Sequence, residues 1–73
     1  MGKKTFLCYD GEQDRWCVDY GGCQYPLRCG EAFQLYIGQK SFPCRLELDN
    51  SWYVIVQETI FTLHTRAVYT VQI

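Results

Sequence analysis

Nowhere does the 73-residue chain approach the roughly 18–20 uninterrupted apolar residues that a membrane-spanning helix needs. The first ten residues hold only Phe6-Leu7-Cys8-Tyr9 as an apolar run, too short for the core of an export signal. A cytoplasmic protein is therefore expected, with no membrane partner. Excess charge of one sign is missing as well, since seven Lys and Arg residues stand against eight Asp and Glu, giving a net charge of −1. Nucleic-acid binders draw much of their affinity from phosphate neutralisation, so this balance disfavours nucleic acid as a partner. The adjacent Lys3 and Lys4 are too few to form a patch. Histidine occurs once, at His64. Catalysis through a Cys-His pair needs a nucleophile and an orienting group around that ring, and no local signature supplies them, so the chain is expected not to be an enzyme. Helical periodicity is also absent over any ten residues, as are repeats and low-complexity tracts.

Five cysteines are present: Cys8, Cys17, Cys23, Cys29 and Cys44. Their odd number, and the reducing compartment that the missing export signal implies, argue against a disulfide framework. The close Cys pairs that let one turn offer two sulfurs to zinc do not occur. The nearest neighbours, Cys17 with Cys23 and Cys23 with Cys29, stand six residues apart. Cys8 and Cys44 read as small core-filling hydrophobes of strands, and no metal or cofactor is expected. The carboxylates Glu12 with Asp14 and Glu47 with Asp49 have the same-face spacing of a strand, and read as hairpin and solvated-face polarity. An apolar content of 48%, with 16% aromatic, is enough for a core without staples, because aromatic rings bury the most area per residue.

Period-two alternation, the signature of half-buried strands, runs through most of the chain. Thr5–Tyr9 and Arg15–Tyr20 form an expected first hairpin around Asp10-Gly11-Glu12-Gln13-Asp14, where Asp-Gly favours the positive φ of a tight turn. Gly21-Gly22 breaks the pattern. Cys23–Cys29 reads as irregular, with Pro26 marking an edge or a loop. Ala32–Ile37 and Phe42–Leu48 flank a loop over Gly38–Ser41. Phe42, Cys44, Leu46 and Leu48 share one face of the second strand, opposite Arg45 and Glu47, and Pro43 suggests that this strand begins at an edge. Trp52–Val56 is apolar on both faces and should lie centrally. Glu58–His64 is expected to be a loop or short helical turn. Arg66–Ile73 reads as a last strand that ties the C-terminus into the sheet. The expected class is all-β: an SH3-like small barrel or a compact antiparallel meander of five to six short strands, forming one domain.

The order Leu27-Arg28-Cys29-Gly30-Glu31, a strand, Pro43-Cys44-Arg45-Leu46-Glu47, a turn and Trp52-Tyr53-Val54-Ile55 resembles a group of small uncharacterised proteins. These come from clostridial-type Gram-positive bacteria and their mobile elements and are grouped as a domain of unknown function. The resemblance spans about residues 5–73. It implies a small barrel and a bacterial or phage setting, and no activity. The chain departs from the pattern between Glu58 and Tyr69, which holds no glycine where a shorter, glycine-containing connection is expected.

Six tyrosines and two tryptophans in so short a chain cannot all be buried. Tyr20, Tyr25, Tyr36 and Tyr53 fall in loops or on the polar side of strands, and Arg28 and Arg45 accompany them. Tyr and Arg are enriched at interface hot spots, so these six residues form the candidate binding surface. The bland alternative for the rings is cross-strand packing that stiffens a thin sheet. The expected function is that of a non-enzymatic module that binds another protein, its partner and oligomeric state undetermined. The alternatives are weak nucleic-acid binding through stacked aromatics and a cysteine-based metal or redox site.

Overall fold

The computed structural model describes residues 3–73. The described residues hold eight strands: β1 (Lys4–Asp10), β2 (Arg15–Tyr20), β3 (Cys23–Pro26), β4 (Ala32–Ile37), β5 (Lys40–Leu48), β6 (Trp52–Val56), β7 (Thr59–Thr62) and β8 (Tyr69–Gln72), the last shorter than the Arg66–Ile73 expected. All eight join one antiparallel sheet in the order β3-β2-β1-β8-β4-β5-β6-β7. The all-β expectation holds, while the five to six strands expected become eight. The two additions are β3, read from the sequence as irregular, and β7, read as a loop or helical turn.

Both additions turn on two-residue hairpins. Gly21 and Gly22, with φ of 61° and 84°, connect the paired Tyr20 and Cys23, a conformation that glycine adopts without steric cost. Gln57 and Glu58 do the same between Val56 and Thr59, with φ of 50° and 65° and no glycine to announce the turn. In the first hairpin the positive φ falls on Asp14, at 52°, and Gly11 has no positive φ.

The last strand makes the sheet continuous. β8 lies between β1 and β4, pairing Thr5 with Val71 on one side and Leu35 with Val71 on the other. Lys3 and Ile73 exchange both backbone hydrogen bonds beyond it, at 2.8 and 3.0 Å. β5 serves two neighbours in succession, β4 along Lys40–Arg45 and β6 along Cys44–Leu48. At Pro43 it has only β4 alongside, so the proline removes no ladder bond on the unpartnered side. A strand shared in this way rolls the sheet. The outer strands β3 and β7 do not pair with each other.

The inner face carries Leu7, Trp16, Val18, Phe33, Leu35, Leu46, Val54 and Val71, all buried. Aromatic contacts cross the interior from Tyr9 to Trp16 (5.4 Å between ring centroids), Trp16 to Tyr69 (5.8 Å) and Tyr69 to Phe61 (6.1 Å). The last contact brings β7 over β8, although the two are far apart in the sheet order. Leu48, expected to share the core face with Leu46, projects past the rim and is 44% exposed.

Candidate functional site

The β1–β2 loop ends on Asp14, whose left-handed backbone is one that aspartate tolerates better than most residues. Its Oδ1 accepts hydrogen bonds from the Tyr9 hydroxyl and from the Trp52 indole Nε1, the latter at 3.2 Å. One carboxylate thus ties β1, the first hairpin loop and the start of β6. Donation by Tyr9, and then by Trp52, favours the ionised form and holds the Asp14 carboxyl below its ordinary value. The same bond to Asp14 pushes the Tyr9 phenol up.

Beside this junction lies an open groove of about 810 Å³, bounded by Asp14 and Arg15 of the first hairpin, Tyr25 and Pro26 of β3, Arg28 and Cys29 of the following loop, and Leu48 and Trp52 of the β5–β6 turn. The Arg28 segment is held from within. Its backbone N–H donates to Glu31 Oε1 at 2.8 Å, and Gly30 N–H donates to the Leu46 carbonyl at 2.6 Å. Gly30 has a φ of 89° there, so the loop folds back along β5 and leaves the Arg28 side chain at the groove. Among the described residues the ion pair found is Arg45 with Glu47, so neither Arg15 nor Arg28 has a carboxylate partner.

The six candidate residues do not form one surface. Tyr25 and Arg28 meet in the groove. Tyr20, on the same side of β2 as Val18, extends beyond the core and lies under the Lys3 ammonium at 5.5 Å. Tyr36 is half-buried in a second hollow of about 590 Å³ with Lys4, Phe6 and Val68. It is engaged by the sheet itself: Lys4 Nζ sits 4.7 Å from its ring centroid, and its hydroxyl donates to Gln72 Oε1 at 3.0 Å. Arg45 is paired with Glu47 at 2.7 Å, and Tyr53, opposite Glu47 in the ladder, is half-buried beside that pair. Tyr20 and Tyr25 are exposed because they overrun the core on its own face, and not because they lie on the polar side of a strand.

Asp14, Arg15, Leu48 and Trp52 were not among the candidates. Asp14 reads in the sequence as hairpin polarity and Trp52 as part of a central strand. Their contact joins positions 38 residues apart, for which no local pattern exists. His64 is exposed, and its backbone N–H donates to the Tyr69 hydroxyl at 2.9 Å. The buried Cys44 thiol is pushed up to about 12 by desolvation, which leaves it protonated and inert near neutrality.

The fold and the groove define a small, all-β, rolled-sheet domain with an aromatic and guanidinium-lined hollow at one rim. The chain matches the family described as Domain of unknown function (DUF5348) over residues 6–73, and it belongs to that family. Its fold is similar to that of a crystal structure of a protein from Ruminococcus gnavus from the Northeast Structural Genomics Consortium. The TM-score is 0.77 at 23% identity, over 97% of this chain and 100% of the other. No curated protein matches the sequence.

Proposed function

We propose that this domain is a non-enzymatic binding module, and that its recognition site is the groove between the first hairpin, β3 and the β5–β6 turn. The observation that carries the reading is the convergence of Tyr25, Arg28, Arg15, Leu48 and Trp52 on one hollow, with both guanidinium groups free of a carboxylate partner among the described residues. Aromatic and arginine side chains around a desolvated pocket are the usual composition of interface hot spots. Unpaired guanidinium groups favour a partner that brings a carboxylate. The ligand class is accordingly an extended protein segment with an acidic side chain next to an apolar one. Tyr36, Arg45 and Tyr53 lie outside the site, their polar groups or ring faces engaged within or beside the sheet. The setting implied by the sequence resemblance is a bacterial or phage one, with ties to mobile elements.

Selection of displayed random peptides on the immobilised full chain tests the proposal. Enriched peptides should carry Asp or Glu beside a large apolar residue. Tyr25→Ala and Arg28→Ala should each weaken them at least ten-fold, about 1.4 kcal/mol, with Arg45→Ala having no effect. Peptides that bind all three variants as they bind the unaltered chain would refute the groove assignment.

A further inference from the structure

The β1–β2 ladder places Cys8 directly opposite Cys17. Directly opposed residues of antiparallel strands project to the same side, with Cα atoms roughly 4.5–5.5 Å apart. That spacing lies inside the range of about 4.4–6.8 Å that a disulfide spans. The side in question is the outer face, because the flanking Leu7, Trp16 and Val18 fill the core. A concavity of about 460 Å³ opens over the pair, lined also by Asp10, Glu12 and Gln24. The other cysteines are placed differently. Cys44 faces Phe33 and Val56 inside the sheet, Cys23 pairs with Tyr20, and Cys29 lies in the exposed groove loop.

We propose that Cys8 and Cys17 form a cross-strand dithiol, a covalent modification site that closes into a disulfide by exchange with a low-molecular-weight disulfide of the glutathione type. The two thiols divide the reaction by burial, Cys8 being half-buried and Cys17 buried. Cys8, as thiolate, attacks one sulfur of the small disulfide. Its S–S bond breaks, one small thiolate leaves and takes up a proton, and a mixed disulfide remains on Cys8. Cys17 then gives up its proton and attacks the Cys8 sulfur. The protein S–S bond forms and the second small thiol departs with that proton. The dithiol loses two electrons and two protons, and the small disulfide is reduced to two thiols. Burial raises the Cys17 thiol above its ordinary value, which disfavours it as the first attacker; its place directly opposite Cys8 makes the second step intramolecular. The closed form staples the two strands that lead into the loop bearing Asp14. Transient disulfides of this kind are those compatible with a reducing compartment.

The test uses the full chain with Cys23→Ser and Cys29→Ser, which removes the exposed competing thiols. After incubation with oxidised glutathione, unfolding in denaturant at acid pH to halt exchange, and alkylation of the remaining thiols in the unfolded chain, the intact mass should show the loss of two hydrogens and a single alkylated cysteine, Cys44, which is buried in the folded chain. Peptide mapping should join Cys8 to Cys17, and dithiothreitol should reverse the change. Adding Cys17→Ala should instead leave a stable glutathione adduct on Cys8, with Cys17→Ser as a second variant if the first fails to fold by circular dichroism. Persistence of two further alkylatable thiols, or an unresolved adduct on Cys8 while Cys17 is present, overturns the proposal.

Discussion

Asp14 is the residue on which the rim of the molecule depends. Its carboxylate is favoured by donation from Tyr9 and Trp52, so the folded chain holds it ionised more strongly than the unfolded chain does. A group depressed in this way contributes stability above its unfolded pKa and loses it as pH falls through the lower folded value. Acid titration followed by the fluorescence of Trp16 and Trp52 together should therefore show a loss of stability beginning near the ordinary aspartate range, whose reference value is 3.8. Asp14→Asn should unfold at a lower temperature at neutral pH and flatten that acid limb. Trp52→Phe removes one of the two donors, so the Asp14 pKa measured by NMR should rise toward its ordinary value. An unchanged Asp14 pKa in that variant would mean that the indole contributes nothing to the depression.

At the scale of elements, the two hairpins with paired positive φ invite opposite substitutions. Gln57 and Glu58 adopt the left-handed conformation without glycine, at roughly 1–2 kcal/mol per residue for ordinary side chains. Glu58→Gly should therefore stabilise the domain by about 1 kcal/mol in chemical denaturation, net of the entropy that glycine adds to the unfolded chain. A destabilisation would show that the Glu58 side chain makes a compensating contribution. Strand β5 offers an internal comparison. Leu46, with no exposed surface, and Leu48, exposed at the groove rim, are two residues apart. Leu46→Ala should cost about 2–5 kcal/mol, and Leu48→Ala should stay within about 0.5 kcal/mol. Equal losses would place Leu48 back in the core.

For the whole molecule, the position of β8 is decisive. It joins the β1–β2–β3 half to the β4–β7 half, and Tyr69 carries aromatic contacts to both Trp16 and Phe61. Truncation after Val68 would leave β1 and β4 with unpaired inner edges and Leu7, Trp16 and Leu35 uncovered. The shortened chain should lose cooperative unfolding altogether, whereas removal of a peripheral strand would only weaken it. A truncated chain that melts in a single sharp transition would contradict this role. Pairing of β1 with β8 closes nearly the full length of the chain, so folding should be slow for its size, in the range of milliseconds to seconds. The groove belongs to this scale as well, since its walls come from the two halves that β8 unites.

Alternation was enough to reveal much of this fold. Phe42–Leu48, Trp52–Val56 and Arg15–Tyr20 lie within or coincide with observed strands, because burying one face of a pleated strand writes period two into the residues. Gly21-Gly22 also carried a legible hairpin signal, although it reads equally as a simple break in the pattern. Gln57-Glu58 carried none, since neither residue favours the conformation that the tertiary packing of β7 imposes. Of the candidate surface, exposure of Tyr25 and Arg28 was foreseeable from residue type, but their convergence was not. Tyr36 and Tyr53 follow strand polarity correctly yet are engaged or half-covered by neighbours distant in the chain. The sequence by itself determined the class of structure and most strand positions, since these depend on local alternation and turn chemistry. The tertiary structure alone decided that Trp52 meets Asp14, that Tyr25 and Arg28 share a hollow with Leu48, and that Cys8 faces Cys17. Those meetings follow from strand register and sheet curvature, which are settled by how the whole core closes and not by any short stretch of residues.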